Sequence, residues 1–166
     1  MEYFGMWGSA GILLAVLLLP ALEAAVPVVG ALLPGQTAVM AGGVLASHGH
    51  VSVLAALLAA LGGALLGNLA GYAVGRHRHR LVLASLRRGG RFGGHMERAL
   101  ALIERRGGWA VFAGRFTAVL RTLVPTLCGA LRMPLRPYLL WTLVSSALWA
   151  PAFVLIGYVA GPAAPG

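Results

Sequence analysis

Apolar residues along this chain gather into five long runs, and the polar positions between them set where each run ends. The first, Trp7 to Leu22, stops at Glu23 and is short for a membrane span of about 20 residues, which predicts an N-terminal helix over residues 7–22. Apolar character resumes at Ala24 and lasts to Ser47. Pro27 and the Pro34-Gly35-Gln36-Thr37 stretch interrupt it, so the pattern predicts two short arms around a turn over 24–47 instead of one helix. Residues 50–75, "HVSVLAALLAALGGALLGNLAGYAVG", are uncharged and Gly-rich, as expected of a spanning helix with small residues on a packing face. Two further runs, 109–131 and 138–161, follow a segment of different character.

That segment, residues 76–108, holds nine of the thirteen arginines together with His77, His79 and His95. Within it "HMERALALIERR" sets Met96, Ala99, Leu100 and Ile103 at helical spacing against charged positions, predicting an amphipathic helix lying on the membrane surface. Such a concentration of arginine places the segment in the cytoplasm. If the run 109–131 crossed the bilayer, Arg132 and Arg136 would be stranded outside; as a re-entrant hairpin it leaves them inside, and Pro125 and Gly129 supply a broken backbone. Working back, the span 50–75 runs inward, Ser47 to His50 face outward, the hairpin 24–47 dips in from the outer side, and the N-terminus is expected in the cytoplasm.

Aligning Gly43 with Gly129 places Gly71-Tyr72-Ala73-Val74-Gly75 on Gly157-Tyr158-Val159-Ala160-Gly161. Each half then reads as a broken hairpin followed by a span, with opposite orientation in the membrane. The fold class expected is therefore an all-α polytopic membrane protein: two opposed re-entrant helical hairpins with flanking transmembrane helices in an inverted repeat.

Composition agrees. Of 166 residues 59% are hydrophobic and 10% charged, against about 25% charged in soluble domains, and mean hydropathy is +0.84. At this length one membrane unit leaves no room for a separate soluble domain. The net charge of +9 belongs mostly to the basic segment, where inside-positive orientation and anionic headgroups account for it and nucleic acid is not expected. Cys128 is the single cysteine, so no intramolecular disulfide forms. The first run lacks the basic flank of a signal peptide, with Glu2 and no arginine before Arg76, and is expected to stay in the mature chain.

Candidate chemistry centres on Arg115 and Arg121, which lie inside a run apolar enough for the membrane, where an unpaired charge costs several kcal/mol. Glu23 is the one acid beside an apolar run. Facing hairpins would let it pair with one arginine and leave the other for an anion, and the planar guanidinium suits phosphate. Gln36, after Pro34-Gly35, could line a cavity at the hairpin tip, and Asn68 is expected to make an interhelical hydrogen bond. "RHRHR", residues 76–80, has metal-like histidine spacing without cysteine or carboxylate partners and reads as solvated loop, so neither a metal nor a cofactor is expected. Esterase elbow, HExxH and phosphate-loop motifs are missing, and no aspartate exists to serve a triad, which argues against an enzyme.

Gly114-Arg115-Phe116, Arg121-Thr122, Pro125, Gly129, Met133, Trp149 and Gly157-Tyr158, with Glu23, Pro34-Gly35 and Gly42-Gly43 upstream, resemble the DedA family, also called SNARE-associated or VTT-domain proteins. The resemblance implies two opposed re-entrant hairpins, residence in the bacterial cytoplasmic membrane, and lipid translocation: return of a polyprenyl-phosphate carrier, chiefly undecaprenyl phosphate, or scrambling of phospholipids. By motif the essential acid would be Glu23 and the essential arginines Arg115 and Arg121. Family members often carry an acid where this chain has Gln36 and Gly-Asp where it has Gly67-Asn68, so the chain lacks two protonatable groups of a proton-coupled scheme. Many relatives continue past "GPAAPG" into a further helix, a loss that a homo-oligomer would offset. Two other classes stand beside transport of lipid. One is a membrane-organising protein binding anionic lipid through Arg87, Arg88 and Arg91; the other is a proton-coupled small-solute transporter, for which Glu23 is the available protonatable group.

Overall fold

The structure is a computed structural model that describes residues 2–25, 35–87, 93–117 and 120–163. Among these residues the regular structure is helical: α1 (Glu2–Ala25), α2 (Gly35–Ser47), α3 (Val53–His77), α4 (His79–Arg87), α5 (Gly93–Arg106), α6 (Gly108–Arg115), α7 (Leu120–Ala130) and α8 (Leu135–Ala160), closed by a short 3-10 turn at Gly161–Ala163. Three helices are long and apolar enough to cross a membrane: α1 over Gly8–Ala25, α3 and α8. The others are not. At 1.5 Å per residue, α2 and α7 reach roughly 20 and 17 Å, well short of the ~30 Å hydrocarbon core.

Large aliphatic side chains line the outside of the long helices, with Leu14, Leu18 and Leu22 on α1, Leu54, Leu58 and Leu66 on α3, and Leu140, Leu148 and Leu155 on α8 all exposed. Small ones line the inside: α3 buries Ala56, Ala60, Gly63, Ala64, Gly67 and Gly71 on one face. Lipid offers no hydrophobic drive toward a protein interior, so such helices associate where small residues let backbones come close.

Glycine contacts fix the direction of each crossing. A Cβ at Gly63 would run into the Leu17 carbonyl, and one at Gly67 into that of Ala21, so α1 and α3 run side by side in the same direction. Ser9, in the N-terminal half of α1, donates from Oγ to the His50 carbonyl at 2.8 Å, just ahead of α3. Two apolar clusters sit at the two ends of the bundle. One gathers Val16, Val39, Ala56, Ala60, Ala150 and Val154. The other gathers Tyr72, Ala99, Ile103, Val111, Leu127 and Tyr138 at the end that carries Arg76, His77 and Arg132, here the basic end.

Several expectations change. The first run does not stop at Glu23; α1 continues through it to Ala25, because a carboxylate with a buried partner need not end a helix. Of the stretch 24–47, residues 24–25 close α1, 35–47 form the uninterrupted α2, and residues 26–34, including Pro27 and Pro34, lie outside the described residues. Since the N-terminal half of α1 lies beside His50 and α3 ends in the basic segment, the N-terminal end of α1 lies opposite that segment, not on its side. The expectation of a shared side treated 7–22 as a crossing independent of the next hairpin, whereas α1 is itself the first arm leading to α2. Pro125 does not break the second hairpin; it lies buried within α7, and the chain breaks between α6 and α7. The basic segment is no loop, since α4 and α5 occupy most of it. Nor does α5 turn its whole apolar face to lipid: Ala99 and Ile103 are buried in the cluster with Leu123, Leu127 and Tyr138.

The α7–α8 turn is closed by Met133 N–H donating to the Cys128 carbonyl and Arg132 N–H to that of Gly129, both at 3.0 Å, with Arg132 left-handed at φ 55°. That is the helix-ending arrangement in which glycine is usual, and a side chain there costs about 1–2 kcal/mol.

Gly129 is a point of close approach at this end: an added Cβ would fall on the Tyr72 carbonyl oxygen and lie 2.9 Å from Arg76 N. Gly62, by contrast, meets nothing nearer than Leu17 Cδ1 at 4.0 Å. Gly129→Ala is therefore expected to destabilise the detergent-solubilised protein by roughly 1–3 kcal/mol. Gly62→Ala should be neutral or stabilising by up to about 1 kcal/mol through reduced unfolded-chain freedom. Thermal unfolding of both variants checks this, and equal melting points would remove the close approach from the account.

Candidate functional site

The second hairpin is built so that its tip sits halfway along the bundle. Gly108 packs on the Trp141 ring and the Arg115 guanidinium lies over that of Trp149, so α6 follows α8 inward from the basic end. On the return, Pro125 and Thr126 of α7 pack on Gly71 and Gly75 of α3. The tip, carrying Arg115 and Arg121, thus lies level with Trp149 of α8 and Asn68 of α3, both near the midpoints of their helices.

The first pair of helices brings its own bend to the same place. Glu23 is 4% exposed, and its Oε1 accepts an ion-paired hydrogen bond from Arg121 Nη2. Gly35, the first residue of α2, packs so closely on Glu23 that a Cβ there would strike the carboxylate. Gln36 follows it, and its Oε1 accepts from Arg121 Nη1 at 3.3 Å. Arg121 is therefore held by both ends of the first bend.

Arg115 is placed differently. Its guanidinium carbon lies 5.1 Å from the Trp149 ring centroid, a cation–π distance. Its Nε is buried without a hydrogen-bond partner among the described residues, as is Arg121 Nε. Two guanidiniums and one carboxylate leave one net positive charge in a small space. That cavity, about 30 Å³, is lined by Glu23, Asn68, Arg115, Arg121, Thr122 and Trp149, with Pro20, Ala24 and Ala64 completing its walls. It has room for a water molecule or two but not for a phosphate group.

The structure thus brings Glu23, Gln36, Arg115, Arg121, Gly35 and Asn68 together. Pro34 lies outside the described residues, and Pro125 lies one turn beyond the cavity, packed on Gly71. Asn68 departs from expectation: its amide donates to the Ala64 carbonyl of its own helix at 2.6 Å, and the interhelical bond at this level runs from Tyr138 Oη to the Asn68 backbone carbonyl at 2.8 Å. Amides buried in a helix readily bond back to the turn before. Trp149 and Thr122 were not singled out as site residues. Trp149 carried a signal, because tryptophans in spans favour the membrane interfaces and this one lies mid-helix.

A family profile for the VTT domain matches residues 33–159. The chain belongs to the VTT-domain, or DedA, family. An uncharacterized membrane protein of Synechocystis, slr0232, is 35% identical over 132 residues, covering 78% of this chain and 60% of the relative. Another from Mycobacterium tuberculosis, Rv2637, is 37% identical over 140 residues, covering 80% and 63%. The inner membrane protein YohD of Escherichia coli is 36% identical over 135 residues, covering 81% and 68%. This VTT-domain chain thus spans about three-fifths of the length of the first two. No solved structure matches it. The names of these relatives place them in membranes and indicate no catalytic activity.

Breaking a buried ion pair from one side strands the other charge, at a cost of about 3–5 kcal/mol, whereas replacing both with apolar groups is often neutral. Glu23→Ala should therefore lower the thermal stability of this VTT-domain protein markedly, and the double variant Glu23→Met/Arg121→Met should recover most of the loss. A single variant as stable as the parent would mean that the pair is not closed in the folded protein.

Proposed function

We propose that the protein is a lipid transporter that passes the phosphate-bearing headgroup of a polyprenyl-phosphate carrier lipid, of the undecaprenyl phosphate type, across the bacterial cytoplasmic membrane. The observation that carries this reading is the uncompensated guanidinium charge in a small cavity halfway along the bundle. A charge in that position is stable only with a counter-ion, and an incoming phosphate supplies one.

In this reading α1–α2 and α6–α7 are opposed re-entrant hairpins, entering from opposite faces and touching at their tips. The glycine crossings support an inverted repeat. Gly43 packs on Val154 and Tyr158 of α8, while Gly129 packs on Tyr72 and Arg76 of α3; Gly157 meets Met40, while Gly75 meets Thr126. Each hairpin's returning arm therefore rests on the long helix of the other half. Arginine concentration puts the basic end in the cytoplasm, and the N-terminus then faces outward.

Opening between the hairpin tips admits the headgroup while the prenyl tail stays in lipid. Arg115, already desolvated and held over Trp149, meets the phosphate first, since no carboxylate among the described residues occupies it. Arg121 then exchanges Glu23 for a phosphate oxygen, and Glu23 is released to take a proton. Bidentate geometry makes arginine the fitting partner for both steps.

Translocation of a polyprenyl-phosphate headgroup in proteoliposomes tests the proposal. Arg115→Ala and Arg121→Ala are each expected to lower the rate at least tenfold, while a triple alanine variant at Arg87, Arg88 and Arg91 keeps it within about twofold, one charged hydrogen bond being worth ~1.5–3 kcal/mol. Normal movement with both hairpin variants and loss with the triple variant would favour a membrane-organising protein that binds anionic lipid through its basic segment.

A further inference from the structure

A second cluster of arginine lies away from the central cavity. At the basic end an open cleft of about 360 Å³ is lined by Arg76, His77 and Arg132, against about 30 Å³ for the central cavity. The two arginines come from different elements, the last turn of α3 and the α7–α8 turn, and among the described residues no carboxylate lines the cleft.

The cleft is rigidly framed. Arg76 Nη1 donates to Tyr72 Oη at 3.0 Å, and Tyr72 Oη donates in turn to the Met133 carbonyl, one residue past Arg132. Gly129 lets the α7 backbone touch that of Tyr72 and Arg76. Arg132 keeps a left-handed backbone at a position where glycine would sit without strain. Arg132 is exposed, holds a strained backbone and lines this cleft, which together point to a ligand for its guanidinium.

We propose that Arg76 and Arg132 form a second phosphate site, a docking point for the phosphate monoester headgroup of a lipid at the basic end. Two guanidiniums lining one cleft from two elements suit a phosphate, which accepts on several oxygens at once. The site also connects to the central cavity. Tyr72 stacks on Tyr138 with ring centroids 4.6 Å apart, and Tyr138 Oη donates to the carbonyl of Asn68, which lines that cavity. Eight residues of α3 separate Asn68 from Arg76, ~12 Å along the axis, close to half the ~30 Å hydrocarbon thickness. The two sites are thus a mid-membrane station and an interfacial one on a single helix. The docking role rests on the transport reading; the phosphate site does not.

Binding to the full-length protein in detergent tests the site, with a short-chain polyprenyl phosphate, the corresponding unphosphorylated alcohol and inorganic phosphate as probes. Arg132→Gly is expected to weaken binding of the phosphorylated lipid roughly tenfold, leave the alcohol unaffected, and keep or raise the melting temperature, since glycine relieves the turn. Arg136→Gln removes the same charge four residues away, outside the cleft, and should leave binding within about twofold. Equal weakening by the two variants would show diffuse surface attraction and overturn the site, as would unchanged binding by Arg132→Gly. Inorganic phosphate competing at the same concentration as the lipid would identify free phosphate as the ligand of the same site. If the intact protein moves no lipid in vesicles yet shows Arg132-dependent binding, the transport reading falls and the site stands. If lipid moves and Arg132→Gly binds as the parent does, the site falls and transport stands.

Discussion

Two guanidiniums buried at the middle of an apolar bundle are the constraint around which this protein is organised. Charge at that depth is tolerated only against a partner, and the partner at hand is a single carboxylate that arrives on the other half of the chain. The Glu23–Arg121 pair is therefore more than a local contact. It requires α1 and α2 to bring Glu23, Gly35 and Gln36 together, and α6 and α7 to bring Arg115 and Arg121 to the same place. Of the helices that meet there, α2, α6 and α7 are too short to cross a membrane. Glycine on the long helices then lets the returning arms come close enough to hold the tips in register.

The arrangement is poised rather than saturated. Arg121 has a carboxylate and an amide; Arg115 has the face of an indole, which attracts a cation without neutralising it. A fully paired cavity would gain little from an anion, and an unpaired one would not stay folded. One net positive charge beside an aromatic ring lies between these limits, so an anion entering the cavity is stabilised by more than it would be at an exposed arginine.

Much of this was legible in the sequence because it is written in charge and in breaks. The runs 50–75 and 138–161 contain α3 and α8 to within a few residues, and Arg115, Arg121 and Glu23 stand out because nothing else charged lies in apolar sequence. What was hidden depended on tertiary contact. The orientation of α1 follows from Leu17 and Ala21 resting on Gly63 and Gly67, contacts that hydropathy does not encode. Pro125 reads as a break, yet it sits in the short α7, where the loss of one backbone bond is absorbed within a packed core. Ala99 and Ile103 have the spacing of a lipid-facing stripe, and periodicity cannot tell lipid from a protein neighbour. Asn68 had the right chemistry for a bridge between helices, but its own turn offered an acceptor nearer at hand.

On the transport reading, the charge balance also bears on the driving force. A binding site alone speeds equilibration without choosing a direction, and the arginines gathered at one end change how long a headgroup stays there, not where it ends up. Direction needs coupling to a gradient. On the transport reading, the cavity with a singly charged phosphate sums to zero: two guanidiniums, one carboxylate, one anion. The loaded state then feels little of a membrane potential worth about 2.3 kcal/mol per charge per 100 mV. A phosphate monoester loses its second proton near pH 6 (about 6), so close to neutral pH the headgroup often brings two charges. Neutrality is then restored by one proton on Glu23, the acid that the phosphate has just displaced from Arg121. One carboxylate is enough for that exchange, so the amides at Gln36 and Asn68 do not exclude coupling to protons; they confine it to a single residue.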